Sequence, residues 1–248
     1  PVDQGMYYYF TLEGLTAIQM NDAIVSTLYG EKNGQVYTSP VDNYSIATYA
    51  YAQMDNPNRA ESLKILCADL LRYGATAQLF KSYRTDALAD SAMTEIHKAY
   101  LSNIDAVTFG NTNTVLNDLD NPVISWAGKA LDLNSKVVLK FVFTLGSYTG
   151  SAEELRLKVS YKDYAGRTQT EYLTDAEPYG SVPGCYVFSF DGLLAAELRT
   201  VVDVAVFAGE TQVSATLRYS ADTYGNNKTG DLLSLCKALF TYSDAAKA

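Results

Sequence analysis

A chain of 248 residues with 48% hydrophobic and 19% charged residues has the composition of a folded globular protein, not of a disordered one. No apolar run approaches the ~20 residues that a membrane helix needs. The formal net charge of −9 sets an acidic surface against phosphate backbones and anionic bilayers, so neither nucleic acid nor membrane insertion is expected.

The chain begins with Pro1 and carries no signal-peptide pattern, and is expected to be a piece of something longer, with other domains of a parent chain beside it. An aromatic strand is predicted over Tyr7 to Leu12, followed by the turn Glu13-Gly14-Leu15. Ile24 to Tyr29 alternates apolar residues as a second strand. The turn Gly30-Glu31-Lys32-Asn33-Gly34 leads into a third, Gln35 to Ser39, and the three read as an antiparallel meander. Ser45 is placed to cap a short helix carrying Ile46, Tyr49 and Ala50, which Asp55-Asn56-Pro57-Asn58 ends. Leu63, Leu66, Cys67, Leu70 and Leu71 then fall on one helical stripe, suited to covering a sheet face.

From Thr85 to Asp120 the pattern is weaker. Ala92 to Leu101 reads as helical. Gly110 to Asn113 and Asn117 to Pro122 have loop compositions. Strands are then predicted at Val123 to Trp126, Val137 to Phe143 and Leu155 to Tyr161. The turn Lys162-Asp163-Tyr164-Ala165-Gly166 joins the last of these to Thr168 to Leu173. Further strands follow at Cys185 to Phe190, Val201 to Phe207 and Gln212 to Arg218. Ser220 precedes a second short helical pattern. Leu232, Leu235, Cys236, Leu239 and Phe240 form a second helical stripe.

The second half repeats the first. Tyr8-Tyr9-Phe10-Thr11-Leu12-Glu13-Gly14-Leu15-Thr16-Ala17 returns as Tyr186-Val187-Phe188-Ser189-Phe190-Asp191-Gly192-Leu193-Leu194-Ala195. Tyr44-Ser45-x-x-Thr48-Tyr49 returns as Tyr219-Ser220-x-x-Thr223-Tyr224. The stripe from Leu63 to Tyr73 returns from Leu232 to Tyr242. Repeats of this kind build scaffolds and binding arrays. The expected fold is α+β, with two tandem repeats, each an antiparallel β-sheet or sandwich covered by a helical pair. Residues 1–90 form the first unit, lacking its leading strands, and 91–122 a connecting segment. Residues 123–248 form the second, complete unit, with a β module at 123–218 and a helical pair at 219–248. Cys67 and Cys236 hold equivalent places and are expected as small core residues, not as a bridge.

Three blocks carry a resemblance: Tyr44-Ser45-x-x-Thr48-Tyr49, the run Leu66-Cys67-Ala68-Asp69-Leu70-Leu71-Arg72-Tyr73-Gly74-Ala75-x-Ala77-Gln78, and Tyr83-Arg84-Thr85-Asp86-x-Leu88-Ala89. They resemble a module of large secreted or cell-wall-attached proteins of gut Firmicutes (Ruminococcus-like and Lachnospiraceae-like bacteria). There it stands toward the C-terminus, beside leucine-rich repeats, glycoside hydrolase domains, dockerins and immunoglobulin-like domains. The second copy departs from it, with Tyr242-Ser243-Asp244-Ala245-Ala246 in place of the Tyr-Gly-Ala-x-Ala run. The resemblance implies an extracellular or cell-wall-attached, non-catalytic accessory module.

The residues themselves give little to catalysis. His97 is the only histidine and reads as a solvated residue on a helix face, without a nucleophile-elbow pattern. Asn117, Asp118, Asp120 and Asn121 lack the spacing of a calcium loop and read as a polar turn. The three cysteines lack metal-ligand spacing, so neither a metal nor a cofactor is expected. None of the 28 acidic residues stands out as a paired general acid and base.

Tyrosine is the unusual feature, at 20 against 9 phenylalanines and 1 tryptophan. Tyrosine suits half-buried sheet faces and binding surfaces alike. Tyr164 at its turn, Tyr179 before Gly180, Tyr161 and Trp126 are the candidate ligand-binding residues, although Tyr161 and Tyr172 lie within strands and Trp126 suits the edge of a core. The expected function is an adhesion or binding module that engages a host protein such as a secreted glycoprotein or immunoglobulin. A carbohydrate-binding module that docks an attached enzyme on polysaccharide or mucin glycans is the alternative, and a structural spacer is a third reading.

Overall fold

Alternating side chains dictate the central strands. In Leu155–Lys162 the residues Leu155, Leu157, Val159 and Tyr161 all point inward and are buried, because successive strand side chains face opposite sides. The structure, a computed structural model, describes residues 11–133, 136–180 and 182–248. Its first part holds short strands β1 (Ile24–Ser26), β2 (Tyr29–Lys32), β3 (Gln35–Thr38) and β4 (Asp42–Tyr44), then helices α1 (Ile46–Asp55), α2 (Glu61–Lys81) and α3 (Glu95–Lys98). Ten further strands follow: β5 (Asn113–Val115), β6 (Ser125–Asp132), β7 (Val138–Thr144), β8 (Leu155–Lys162), β9 (Thr168–Leu173), β10 (Glu177–Pro178), β11 (Cys185–Phe190), β12 (Val201–Ala208), β13 (Thr211–Gln212) and β14 (Leu217–Ser220). Helix α4 (Gly230–Ala245) closes the chain.

The protein is mixed α+β with several antiparallel sheets. One sheet has the order β10-β11-β7-β6, and a larger one the order β5-β14-β12-β8-β9, with β13 paired to β12. They face each other as a sandwich. The Phe141 ring of β7 meets Tyr219 of β14 edge-on at 6.2 Å, and Phe190 of β11 lies 5.7 Å from Tyr161 of β8. In the first part β1 pairs only with β4 and β2 only with β3, among the described residues.

Several strand expectations change. The aromatic strand predicted from Tyr7 lies outside the described residues up to position 10, and Thr11 and Leu12 are not in a strand. The expected strand Ile24 to Tyr29 is split into β1 and β2. Gln212 to Arg218 is split as well, where Ser214 leaves the ladder to bridge Ile124 in parallel and its hydroxyl accepts from the Val206 N–H. The strands predicted at Cys185 to Phe190, Val201 to Phe207 and Gln212 to Arg218, in the order of the first-half meander, do not share one sheet, since β11 belongs to the smaller sheet and β12 and β14 to the larger. Asn113, expected in a loop, opens β5.

Ser45 caps α1 as its sequence predicts, with its hydroxyl accepting from the Thr48 N–H at 3.0 Å. Ser220 precedes only a 3-10 turn, Ala221–Gly225, and makes no such cap. Ala92 to Leu101 reduces to the four residues of α3. The helical stripes pack chiefly on one another, α2 against α4, and on 3-10 turns rather than across a sheet. The physical reason is that the inner faces of both sheets already share one core, the phenylalanines of the smaller sheet with the aliphatic and tyrosine side chains of the larger. Leu71, Cys67, Leu235, Cys236, Leu239 and Phe240 are buried there, and both cysteines are unbonded. Gly74 permits a close approach: a Cβ at that position would lie 2.6 Å from Met20 Sδ. The turn Ala17–Gln19 therefore sits directly on α2. One continuous hydrophobic core runs from Met20 and Ala47 through Phe141 to Phe240.

Candidate binding site

The β8–β9 hairpin is built to hold its tip still. Asp163 Oδ1 accepts from the N–H groups of Ala165 and Arg167 at 3.0 and 2.8 Å, and Oδ2 from Arg167 Nε and Gln169 Nε2, both at 2.8 Å. Burial pushes the Asp163 carboxyl up, but the Gln169 and Arg167 hydrogen bonds outweigh it and hold the group below its ordinary value. Gly166 takes φ +78°, which lets the chain reverse without strain. Tyr164 stands at this tip, 67% exposed.

A second loop grips the same tip. Glu197, buried in the 3-10 turn Ala195–Glu197, accepts the Tyr164 N–H on Oε1 at 3.0 Å and the Leu194 N–H on Oε2 at 2.9 Å. Between the two loops lies an open cleft of ≈ 330 Å³, lined by Tyr164, Lys162, Glu197, Arg199, Thr200 and Lys247 among others. Arg199 is fully engaged. It forms a bidentate pair with Asp244 at 2.7 and 2.9 Å, donates to Thr108 O at 2.9 Å and lies 5.0 Å from the Phe240 ring centroid. The cleft thus joins one rigidly mounted aromatic side chain to lysines that reach solvent. Both Glu197 oxygens accept backbone N–H groups and so hold the turn that positions Tyr164.

The other candidates do not converge on this place. Tyr161 is a core residue, with its hydroxyl donating to Glu171 Oε1 at 3.1 Å, and burial pushes its phenol up to about 12. Trp126 is half-buried against the core, and its indole Nε1–H donates to Ala215 O at 2.8 Å. Tyr179 lines a separate cleft of ≈ 290 Å³ with Tyr224, Lys140 and Phe80. Tyr172 lies on β9, its ring 5.2 Å from the Arg156 guanidinium. Lys162, Glu197, Arg199 and Lys247 were not legible as cleft residues, because they come from three separate stretches of chain. The one signal was the hairpin turn itself.

His97 departs from its expected place. It is buried, not solvated. Its Nδ1 accepts from the Thr94 N–H at 3.4 Å and its Nε2 lies 2.8 Å from Asp55 Oδ1. Nε2 ties α3 to the end of α1, and Nδ1 caps the start of α3 itself. Asp118 accepts the Thr216 N–H at 2.9 Å, which makes it a strand-edge cap. Among the described residues no group of three or more His, Cys, Asp or Glu side chains converges as a metal site, and no helix is long and apolar enough to cross a membrane.

No protein-family model matches the chain, and searches of curated proteins and of solved structures find no match either.

Proposed function

We propose that this chain is a non-catalytic extracellular binding or adhesion module of a bacterial surface protein, engaging a host protein such as a secreted glycoprotein or immunoglobulin. The observation that carries the reading is Tyr164: an aromatic side chain two-thirds exposed on a turn whose backbone is clamped by Glu197. A rigid tyrosine offers a large amphipathic contact area with little entropy to lose, which is what anchors protein contacts. The test is surface plasmon resonance against purified immunoglobulin and purified mucin glycoprotein. Binding that Tyr164→Ala removes supports the reading, and binding indifferent to that change, or none to either protein, overturns it. The same tyrosine flanked by Lys162, Thr200 and Lys247 also suits a sugar ring and its hydroxyls. Binding lost when the glycoprotein is enzymatically deglycosylated selects that second reading.

The scaffold, on this proposal, is a duplicated unit. Equivalent positions pair in the same register in both halves: Val25 opposite Asn43, and Asp203 opposite Arg218. The turns Ala17–Gln19 and Ala195–Glu197 each use the side chain of their last residue to hold the N–H three residues before it. Disulfide trapping tests this in a Cys185→Ser background. Val25→Cys with Asn43→Cys and Asp203→Cys with Arg218→Cys should each oxidise to a cross-strand bond, read by peptide mass mapping. A bond in the second pair alone overturns the duplication.

A further inference from the structure

Burial divides the larger sheet into two faces. Leu157, Val159 and Tyr161 of β8 pair with Val206, Val204 and Val202 of β12, and all of these side chains are buried in the sandwich. Directly paired residues share a face and alternate residues change it, so the residues between them make the outer face. There Thr114, Arg218, Asp203, Ser160 and Thr170 form one row through β5, β14, β12, β8 and β9. Lys158, between Ala205 and Tyr172, lies on one side of this row, and Lys162, opposite Thr168, on the other. An open groove of ≈ 460 Å³ runs over this face, lined by Ser160, Lys162, Thr168, Asp203 and Arg218 among others.

The charge here is opposite to that of the chain. The chain carries −9, but Arg156, Lys158, Lys162 and Arg218 all face outward on these strands, and Asp203 is the one carboxylate that does so among the described residues. Asp203 forms a bidentate pair with Arg218, both bonds at 2.8 Å, and Glu210, in the turn after β12, takes Arg156 at 2.8 Å. The two lysines keep neutral neighbours. Lys162 Nζ donates to Thr168 Oγ1 at 2.6 Å, and Lys158 Nζ lies 6.0 Å from the Phe207 ring centroid. A local field of this sign collects anions. Lys162 also lines the Tyr164 cleft, so groove and cleft are continuous. Tyr164 stands at one end of the track, and Tyr172, 49% exposed, at the other.

We infer that this face binds a chain of acidic sugars, running from the Tyr164 cleft past Lys162 to Lys158 and Tyr172. The inference rests on the sugar reading of the Tyr164 cleft and gives it a ligand class. Charge complementarity selects an anionic ligand. The hydroxyls of Ser160, Thr168 and Thr170 offer hydrogen bonds to sugar hydroxyls, and the two tyrosines offer flat faces to sugar rings. The acidic remainder of the chain disfavours the denser charge of a nucleic acid strand.

The test uses the full chain and a fluorescently labelled chondroitin sulfate oligosaccharide, whose sugars carry carboxylate and sulfate groups. Fluorescence anisotropy at low ionic strength should show saturable binding that weakens as salt is raised. Unlabelled dextran, polyglutamate and a single-stranded oligodeoxynucleotide should not displace it. Lys158→Glu, outside the Tyr164 cleft, should weaken binding by about fivefold or more, whereas Lys32→Glu, an equal change of net charge on the β2–β3 hairpin, should leave it in place. Absence of saturable binding, displacement by any of the three competitors, or equal effects of the two charge reversals overturns the inference. If the purified glycoprotein binds through its glycans and Tyr164 but the chondroitin oligosaccharide does not bind, the acidic-sugar inference falls alone. If the oligosaccharide fails and glycoprotein binding is also indifferent to deglycosylation, the sugar reading beneath it falls too.

Discussion

The rings of Tyr73 and Tyr242 lie parallel, 5.9 Å apart between centroids and 4° from coplanar. Tyr73 comes from α2 and Tyr242 from α4, and they are the last matching positions of the two helical stripes. The contact therefore joins the two halves of the chain at a buried place. Stacked aromatic pairs add roughly 0.5–1.5 kcal/mol beyond the area that they bury. A double-mutant cycle with Tyr73→Leu and Tyr242→Leu should return a coupling of about that size in urea unfolding. Tyr73→Ala alone should destabilise by about 3–5 kcal/mol, as truncation of a buried aromatic does. Strictly additive effects would place the two rings apart in solution.

Burial pushes the Tyr73 phenol up to about 12, with Tyr242 and Cys236 nearby adding to it. The phenol is thus neutral in the folded chain over a range in which it ionises when unfolded. Its contribution is complete below pH 10, the ordinary value, and is lost as pH rises from there toward 12. Tyr73→Phe keeps the ring and removes this titration. Stability measured between pH 9 and pH 11 should fall less steeply in the variant than in the wild type, and identical slopes would show that Tyr73 meets solvent.

The strands that were legible in the sequence are those whose surroundings are two-sided and regular. Leu155, Leu157, Val159 and Tyr161 alternate because one face of β8 meets the opposite sheet, and Val202, Val204 and Val206 do so for the same reason. The stripe from Leu232 to Phe240 was legible because one side of α4 is buried along its length. What those faces pack against was not. A stripe of leucines carries no label for its partner, so α2 and α4 pairing with each other looked the same as two helices each covering a sheet. Strand breaks at Ser214 and before Tyr29 were hidden because they depend on distant partners, such as Ile124. At the candidate site, Tyr164 was legible from its turn, whereas Glu197 and Arg199 become neighbours only after the sandwich has formed.

Asp69 is fully buried within α2 and faces Arg72 at 2.6 Å, the Ser102 hydroxyl at 2.5 Å and the Ser102 N–H at 3.2 Å. Arg72 in turn donates to Ser102 O at 2.8 Å. Removing one partner of a buried ion pair leaves the other charge unpaired. Asp69→Ala should therefore destabilise by about 3–5 kcal/mol. The double change Asp69→Leu with Arg72→Met should recover much of the loss. If the single change is tolerated in thermal unfolding, water reaches the pair.

His97 ties Asp55 at the end of α1 to Thr94 at the start of α3. It also lies 5.5 Å from the Tyr51 ring. His97→Ala should destabilise by about 1–3 kcal/mol, because it removes a buried ring that packs beside Tyr51 and links α3 to α1. Asp55→Ala should matter less, since that carboxylate remains 69% exposed. Hydrogen exchange should show faster opening around residues 94–98 in the first variant. A His97→Ala protein with unchanged exchange there would mean that the histidine is not part of the tie.

The clefts of Tyr164 and Tyr179 are separate, so one substitution in each decides between them. Tyr164→Ala removes a ring that makes little use of the core, and the Glu197 contact to its backbone N–H survives the change. Unfolding free energy should stay within the range of a neutral surface substitution, about ±0.5 kcal/mol. Binding to the purified glycoprotein or immunoglobulin should weaken by about 2 kcal/mol, as for a true anchor. Tyr164→Phe separates the two uses of the side chain, because stacking survives it and a hydroxyl contact does not. Tyr179→Ala should leave binding intact if the Tyr164 cleft is the site. The reverse pattern, with Tyr179→Ala destructive and Tyr164→Ala silent, would move the site to the cleft beside Tyr224 and Lys140.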